Sequence, residues 1–456
     1  MPACIGTRIL MRMSEKLRYQ LLRLTRKTWS RCALFSLFAL MAVASSALIG
    51  PYIPESVAIK LGSDSIGSLL GILASSMLTV AIFSASTMVG SFSAVSNSAT
   101  PRASQLLIED STVQNTLAAF IGTFLYSVIA LIGLHAHLYG DGGRLVLFGF
   151  TLVILVLVVV VLLRWIDYLS VLGRLGETIR RVEAATMAAM AQRLQKPFLG
   201  GQPQPPGAQG SHAVRAPATG FVQHISMDIL QARAEALGTT LHLHVLPGAF
   251  VEPSVVLASC DVDLTEEEQQ AIADAVLIGA GRTFDHDPRF GMVVMGEIAA
   301  RAMSASVNDP GTALDVIAAA VRTLIFWVDT ERQTAAQDDA AVEFDRVTAP
   351  GLREAGLLED VWTPLVRYGA PAVEVGMALQ RALASLRRLD HPGFNAEVED
   401  LSRYALEKAS HSNLIDREMA MLRRESAACG SSNSNGTNAE GTGYNHQHAA
   451  THASSQ

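Results

Sequence analysis

The chain has 456 residues, half of them hydrophobic, with a formal net charge of -7. That length and apolar content exceed one small soluble domain and fit a polytopic membrane protein with a sizeable water-soluble part. The acidic balance excludes nucleic acid as the main partner, because phosphate binding needs clustered Lys and Arg, and four scattered cysteines without a CxxC pair suggest neither a disulfide framework nor a thiolate zinc site.

Residues 1–32 are basic, with Arg8, Arg12, Arg18, Arg23, Arg26 and Arg31 ahead of the first apolar run. They predict an interfacial segment on anionic headgroups. Four spans follow, over 33–49, 66–92, 117–134 and 145–163, each close to the roughly 20 residues needed to cross the hydrocarbon layer. Together they form an expected four-span membrane domain over 33–165. The first external loop carries little positive charge, whereas Arg102 follows the second span and Arg164, Arg174, Arg180 and Arg181 follow the fourth. By the positive-inside bias both termini of this multi-pass protein are expected in the cytoplasm.

The second span lies in a stretch of 37 residues between Asp64 and Arg102 that has no formal charge and contains 13 Ser or Thr. On a helix, Ser68, Ser75, Thr79, Ser86 and Ser93 project within a sector about 40° wide. Such a stripe serves helix packing, since small and hydroxyl residues let backbones approach, or it lines a path for water or ions. Without an ionisable residue the span offers no proton relay.

Residues 166–196 read as an amphipathic helix continuing from the fourth span. The run GGQPQPPGAQG within 197–213 breaks every periodicity and reads as a linker. Short alternating stretches over 214–263, with a helix from Met227 to Leu237 and a Pro247-Gly248 turn, predict a small β-barrel-like module. His242 and His244 share one strand face, and with His224 on a partner strand a three-histidine metal site can be drawn. Solvated alternation explains the same residues.

From 264 to 426 the chain reads as a helical bundle. Asp287-Pro288 and Asp309-Pro310 each set an N-cap carboxylate before a proline at the first helical position. Capping accounts for both dipeptides. The cluster Asp285, His286, Asp287, Arg289, Asn308 and Asp309 also gathers carboxylates, an imidazole and an amide in one helical hairpin, which defines a candidate ligand or chemical site. No nucleophile elbow, Walker loop, strand-linked GxGxxG or HExxH supports an enzyme, and no cofactor is expected. Residues 427–456 are polar and are expected to be disordered.

The segments SNSATPRASQLLIED, IGTFLYS, ATGFVQHIS, LPGAFV, GRTFDHDPRFG and AMSASVNDPGTA occur in that order. The chain thereby resembles the bacterial inner-membrane family called domain of unknown function 2254. The resemblance implies a membrane protein without an assigned reaction. That family usually has Ser-Pro before the Asn-Asp-Pro element; Ser304-Ala305 here lacks the proline, which predicts a looser loop. The fold expected is therefore an α-helical polytopic membrane domain plus a cytoplasmic α+β domain, and the partners expected are the lipid bilayer and further copies of the chain. Its leading functional expectation is a non-enzymatic channel-like or sensing assembly; a membrane-anchored enzyme or metal-dependent module on the hairpin and a structural scaffold are the alternatives.

Overall fold

A computed structural model describes residues 28–49, 52, 63–108, 110–336 and 342–430. The basic segment up to residue 27 and most of the C-terminal tail lie outside the described residues. The first helices are α1 (Thr28–Ile49), α2 (Ser63–Ser98), the short α3 (Ser104–Ile108), α4 (Ser111–His135) and α5 (Asp141–Val171). All four expected spans are helical. α4 is central, packing against α1, α2 and α5. It is started by Asp110, whose carboxylate accepts a hydrogen bond from the Thr112 N–H at 2.6 Å and so satisfies one of the orphan donors of a helix N-terminus. α5 buries few of its residues and presents Val153, Val156 and Leu163 outward, as a helix apolar on all sides does at the edge of a bundle in lipid.

The fourth span and the following helix are not continuous as expected. Leu172 caps α5, Gly173 adopts φ +85°, and the chain restarts as α6 (Leu175–Gln195). Glycine alone enters this left-handed conformation without steric cost.

The rest of the chain forms two cores. In the sheet region the strands are β1 (Gly201–Pro203), β2 (His212–Arg215), β3 (Gly220–Ile225), β4 (Leu241–Leu243), β5 (Phe250–Val251), β6 (Val256–Cys260), β7 (Val276–Gly279) and β8 (Phe344–Ala349), with helices α7 (Met227–Leu237) and α8 (Glu266–Ala273) among them. Two sheets result, ordered β1-β8-β4-β6-β2 and β5-β3-β7. Two expectations change here. The run 197–213 is not a free linker, because β1 pairs in parallel with β8 and β2 pairs antiparallel with β6, so its backbone groups find ladder partners. The β module is also not confined to 214–263: β7 and β8 come from the region expected to be purely helical, and β8 sits between β1 and β4. The helix Met227–Leu237 has the expected bounds and ends on Gly238 with φ +63°.

The second core is helical, built from α6, α9 (Pro288–Ala302), α10 (Pro310–Ala336), α11 (Ala355–Gly369), α12 (Val373–Arg387) and α13 (Pro392–Ser410), with α14 (Asp416–Gly430) at its edge. The last helix runs past residue 427, where the polar tail was expected to begin. Among the described residues four stretches are long and apolar enough to cross a membrane: Ser65–Ser98, Ser104–His135, Asp141–Val171 and Pro310–Ala335. The last of these was not expected as a span. It buries Val316, Ala320, Leu324 and Val328 in the helical core, and Arg322 on its flank makes paired hydrogen bonds of 2.6 and 2.7 Å to Glu183 of α6. Protein therefore covers its apolar face.

α9 lies between α6 and α11 at contact distance. A Cβ on Gly291 would meet the Thr186 hydroxyl at 1.7 Å, and one on Gly296 would meet the Asp360 backbone oxygen at 2.6 Å. A side-chain hydroxyl can rotate away; a helix backbone cannot. Gly296→Ala should therefore destabilise the protein by about 1–3 kcal/mol through overpacking. Gly176→Ala in α6, where nothing lies within 4 Å of the new atom, should leave stability unchanged or slightly raised. Thermal unfolding of both variants in detergent measures the difference, and equal midpoints would refute this packing.

Candidate functional site

The expected hairpin site divides when folded. Asp285, His286 and Asp287 precede α9, whereas Asn308 and Asp309 follow its far end, so the 15 residues of that helix separate the two groups by about 22 Å at 1.5 Å per residue. Asp309 accepts from the Thr312 N–H at 3.1 Å and from the Thr312 hydroxyl at 2.6 Å, which is the capping geometry expected of it. Asn308 is exposed, with φ +48°. Arg289 is engaged elsewhere: its guanidinium donates to both carboxylate oxygens of Asp360 in α11, at 2.7 and 2.8 Å.

Asp287 caps α9 by accepting from the Arg289 N–H at 3.1 Å, and Arg282 Nε donates to its other oxygen at 2.7 Å. The residue is 3% exposed. Burial raises its carboxyl pKa, against the opposing pull of Arg282.

Around this cap the last turn of α6, the end of β3, the start of α7 and the loop holding His286 enclose a cleft of about 200 Å³. Arg193, Lys196, His224, Asp228, His286 and Phe344 are among its lining residues. Arg193 is 8% exposed and donates to the His286 carbonyl at 3.3 Å. Burial lowers its guanidinium pKa to about 10, with the Asp287 charge opposing the fall. Lys196 pairs with Glu343 at 2.7 Å. The rings of His224 and His286 lie 4.7 Å apart. His224 is pushed down to about 4 by burial and by His286, with Asp285 acting against the shift. The cleft thus holds a buried cation beside two imidazoles, one of which is neutral near pH 7; this arrangement suits an anionic or hydrogen-bonding small ligand.

The three-histidine set is not assembled. His242 and His244 lie on or beside β4 of the five-stranded sheet, where His242 Nδ1 is 2.9 Å from the Thr348 hydroxyl and His244 Nε2 is 2.8 Å from the Ser259 hydroxyl. His224 belongs to the three-stranded sheet and faces His286 instead. Among the described residues one group of three metal-type side chains does converge, Glu331, Glu354 and His391. Neither that group nor Arg193 was read as a site from the sequence: the three residues come from separate helical segments, and Arg193 has the spacing of an ordinary amphipathic helix.

The hydroxyl stripe falls on one side of α2 as expected. Ser68, Ser75, Thr79, Ser86 and Ser93 are all exposed, while Ile66, Leu70, Leu73, Met77 and Ala81 on the opposite face are buried. Ser75 donates to the Gly71 carbonyl at 3.1 Å and Thr79 to the Ser75 carbonyl at 2.9 Å, so these hydroxyls are satisfied within their own helix.

The depressed His224 pKa has a sign that can be tested. Its folded value lies below the unfolded one, so between pH 6.5 and about 4 the unfolded chain binds the extra proton and stability falls as pH falls. Across that window the wild type should lose on the order of 3 kcal/mol through this group. His224→Gln should flatten that part of the profile of thermal midpoint against pH. An unchanged slope in the variant would remove His224 as the source.

Comparison with known proteins yields uncharacterised relatives. The chain is 27% identical over 267 residues to an uncharacterised protein of Mycobacterium bovis and, over the same length, to one of Mycobacterium tuberculosis; each match covers 56% of this chain and 50% of the relative. The chain thus spans about half the length of the curated relatives it matches. No solved structure matches it. The family described as "Predicted membrane protein (DUF2254)" matches residues 25–385, carrying both the apolar helices and the sheet-and-helix body, and the chain belongs to that family.

Proposed function

We propose that the chain is a subunit of a non-enzymatic, channel-like or sensing homo-oligomer of the bacterial inner membrane, with both termini and the sheet-and-helix domain in the cytoplasm. One observation carries the reading: α2 has a hydroxyl face that no described residue covers, and its C-terminal end is built into the helical core. Val95, Ala99 and Ala103, together with Leu107 of α3, are essentially fully buried with Ile179, Val182, Phe290 and Met295. Arg102 forms an ion pair with Glu297 of α9. A displacement of α9 or α6 in the cytoplasmic domain therefore moves the end of the second span directly, without a flexible tether between them.

The uncovered face suits contact between copies or a lining. Gly71 and Gly90 have nothing within 4 Å of an added Cβ, and small residues allow helix backbones to approach across a membrane interface. The cleft at Arg193 and His224 lies where α6 meets the sheets, so a ligand bound there bears on the helix that contacts α2 through the common core. The enzyme alternative would need Asp287 and Asp309 at one point, whereas they stand at opposite ends of α9.

The test is current recorded from purified protein in planar bilayers, with wild type compared to Ser75→Leu/Ser86→Leu and to Arg102→Ala. The wild type should conduct in discrete steps, the double variant should change unitary conductance, and Arg102→Ala should alter open probability alone. Silence of the assembled wild type across voltage, tension and salt would overturn the channel reading and leave the stripe as helix packing.

A further inference from the structure

Glu331 near the end of α10, Glu354 immediately before α11 and His391 at the N-terminus of α13 bring one ligand atom each to within 4.8 Å of one another. His391 Nε2 lies 2.6 Å from Glu331 Oε2, a hydrogen bond in which the imidazole donates. The other ring nitrogen, Nδ1, is 3.6 Å from Glu354 Oε2, is shielded from solvent and has no hydrogen-bond partner. His391 as a whole is 7% exposed.

With the proton on Nε2, the Nδ1 lone pair faces a carboxylate oxygen across that gap. The distance is too long for a hydrogen bond and too short for a water between them. It matches the roughly 3.3–3.6 Å that separates two ligand atoms bound tetrahedrally to one ion at bonds of about 2.0–2.2 Å. Glu354 is held in place by its neighbours. Trp327 Nε1 donates to its Oε1 at 3.1 Å, which leaves Oε2 directed at the cluster, and position 393 must be glycine-sized because a Cβ there would stand 1.7 Å from that Oε2. A hydrogen bond that fixes a carboxylate from behind is the usual support of a metal ligand. Arg332 Nη2 donates to the Leu389 carbonyl at 2.6 Å and holds the His391 segment against α10.

We propose that His391 Nδ1 and Glu354 Oε2 bind a divalent first-row transition metal of the zinc class, while Glu331 holds the imidazole through its Nε2–H, an arrangement that pins α10, α11 and α13 together. One imidazole nitrogen and one carboxylate oxygen form a borderline donor pair suited to such ions, and solvent completes the coordination. Glu331 is partly exposed, so the cluster has a route to solvent.

The full-length chain, purified in detergent with His446, His448 and His452 changed to Ala so that the tail does not contribute, would be stripped with a chelator and titrated with Zn²⁺ against a chromophoric competitor. One ion per chain is expected, with a rise in thermal midpoint. Glu331→Gln and His391→Ala should each weaken binding by about tenfold or more and abolish that rise. Glu331→Gln keeps its shape at a partly exposed position, so it decides the matter if His391→Ala fails to fold. Absence of stoichiometric Zn²⁺ binding in the parent, or binding unchanged in Glu331→Gln, would overturn the proposal and leave the group as an ion-paired histidine.

Discussion

Burial of the end of the second span inside the helical core is the constraint on which the rest of the architecture depends. A helix of 36 residues is about 54 Å long at 1.5 Å per residue, well beyond the hydrocarbon thickness of about 30 Å. The excess has to go somewhere, and Val95, followed by Ala99 and Ala103 in the turn after the helix, places it in the core shared with α6, α9 and α10. The span and the helical body thereby share packed side chains. The position of α6, the register of α9 against it and the seating of α10 all follow from sharing that core.

The polar groups at the same junction are satisfied in a way that keeps the helices aligned. Asp110 starts α4, accepts from the Tyr168 hydroxyl of α5 at 2.8 Å and pairs with Arg181 of α6. Arg181 also donates to Glu177 at 2.9 Å and to the Tyr168 hydroxyl at 3.1 Å. Three helices meet on one carboxylate. Half-buried charges are costly unless paired and hydrogen-bonded, so the network holds α4, α5 and α6 to one arrangement. Removal of any member leaves the others uncompensated. Arg193 and the cleft beside it depart from this economy, since a nearly buried guanidinium there donates to a carbonyl and borders open space. Departures of that kind concentrate at sites that take ligands.

What was legible in the sequence follows the range of each physical signal. Span positions, the two Asp-Pro helix starts, the Met227–Leu237 helix and the one-sided hydroxyl stripe depend on residues within a few turns of one another, and each was readable for that reason. The sheet was legible only in part. β8 enters it between β1 and β4 from more than eighty residues downstream of β6, and short strands carry no mark of the partner they will pair with. The Gly/Pro run at 197–213 read as a linker because Gly and Pro signal turns, while the ladder partners that order it lie elsewhere in the chain.

By itself, then, the sequence determined the membrane class, the family, the helix caps and the face of α2 that carries hydroxyls, all properties of composition and local period. Only the tertiary structure decided which of the candidate residues stand together. It separated Asp287 from Asp309 by a helix length, parted His224 from His242 and His244 onto different sheets, turned Arg289 to Asp360, and joined Glu331, Glu354 and His391 from three segments. The reason is geometric. A site is a convergence of side chains in space, and that convergence is set by how the helices and sheets pack, which the spacing of residues along the chain does not encode.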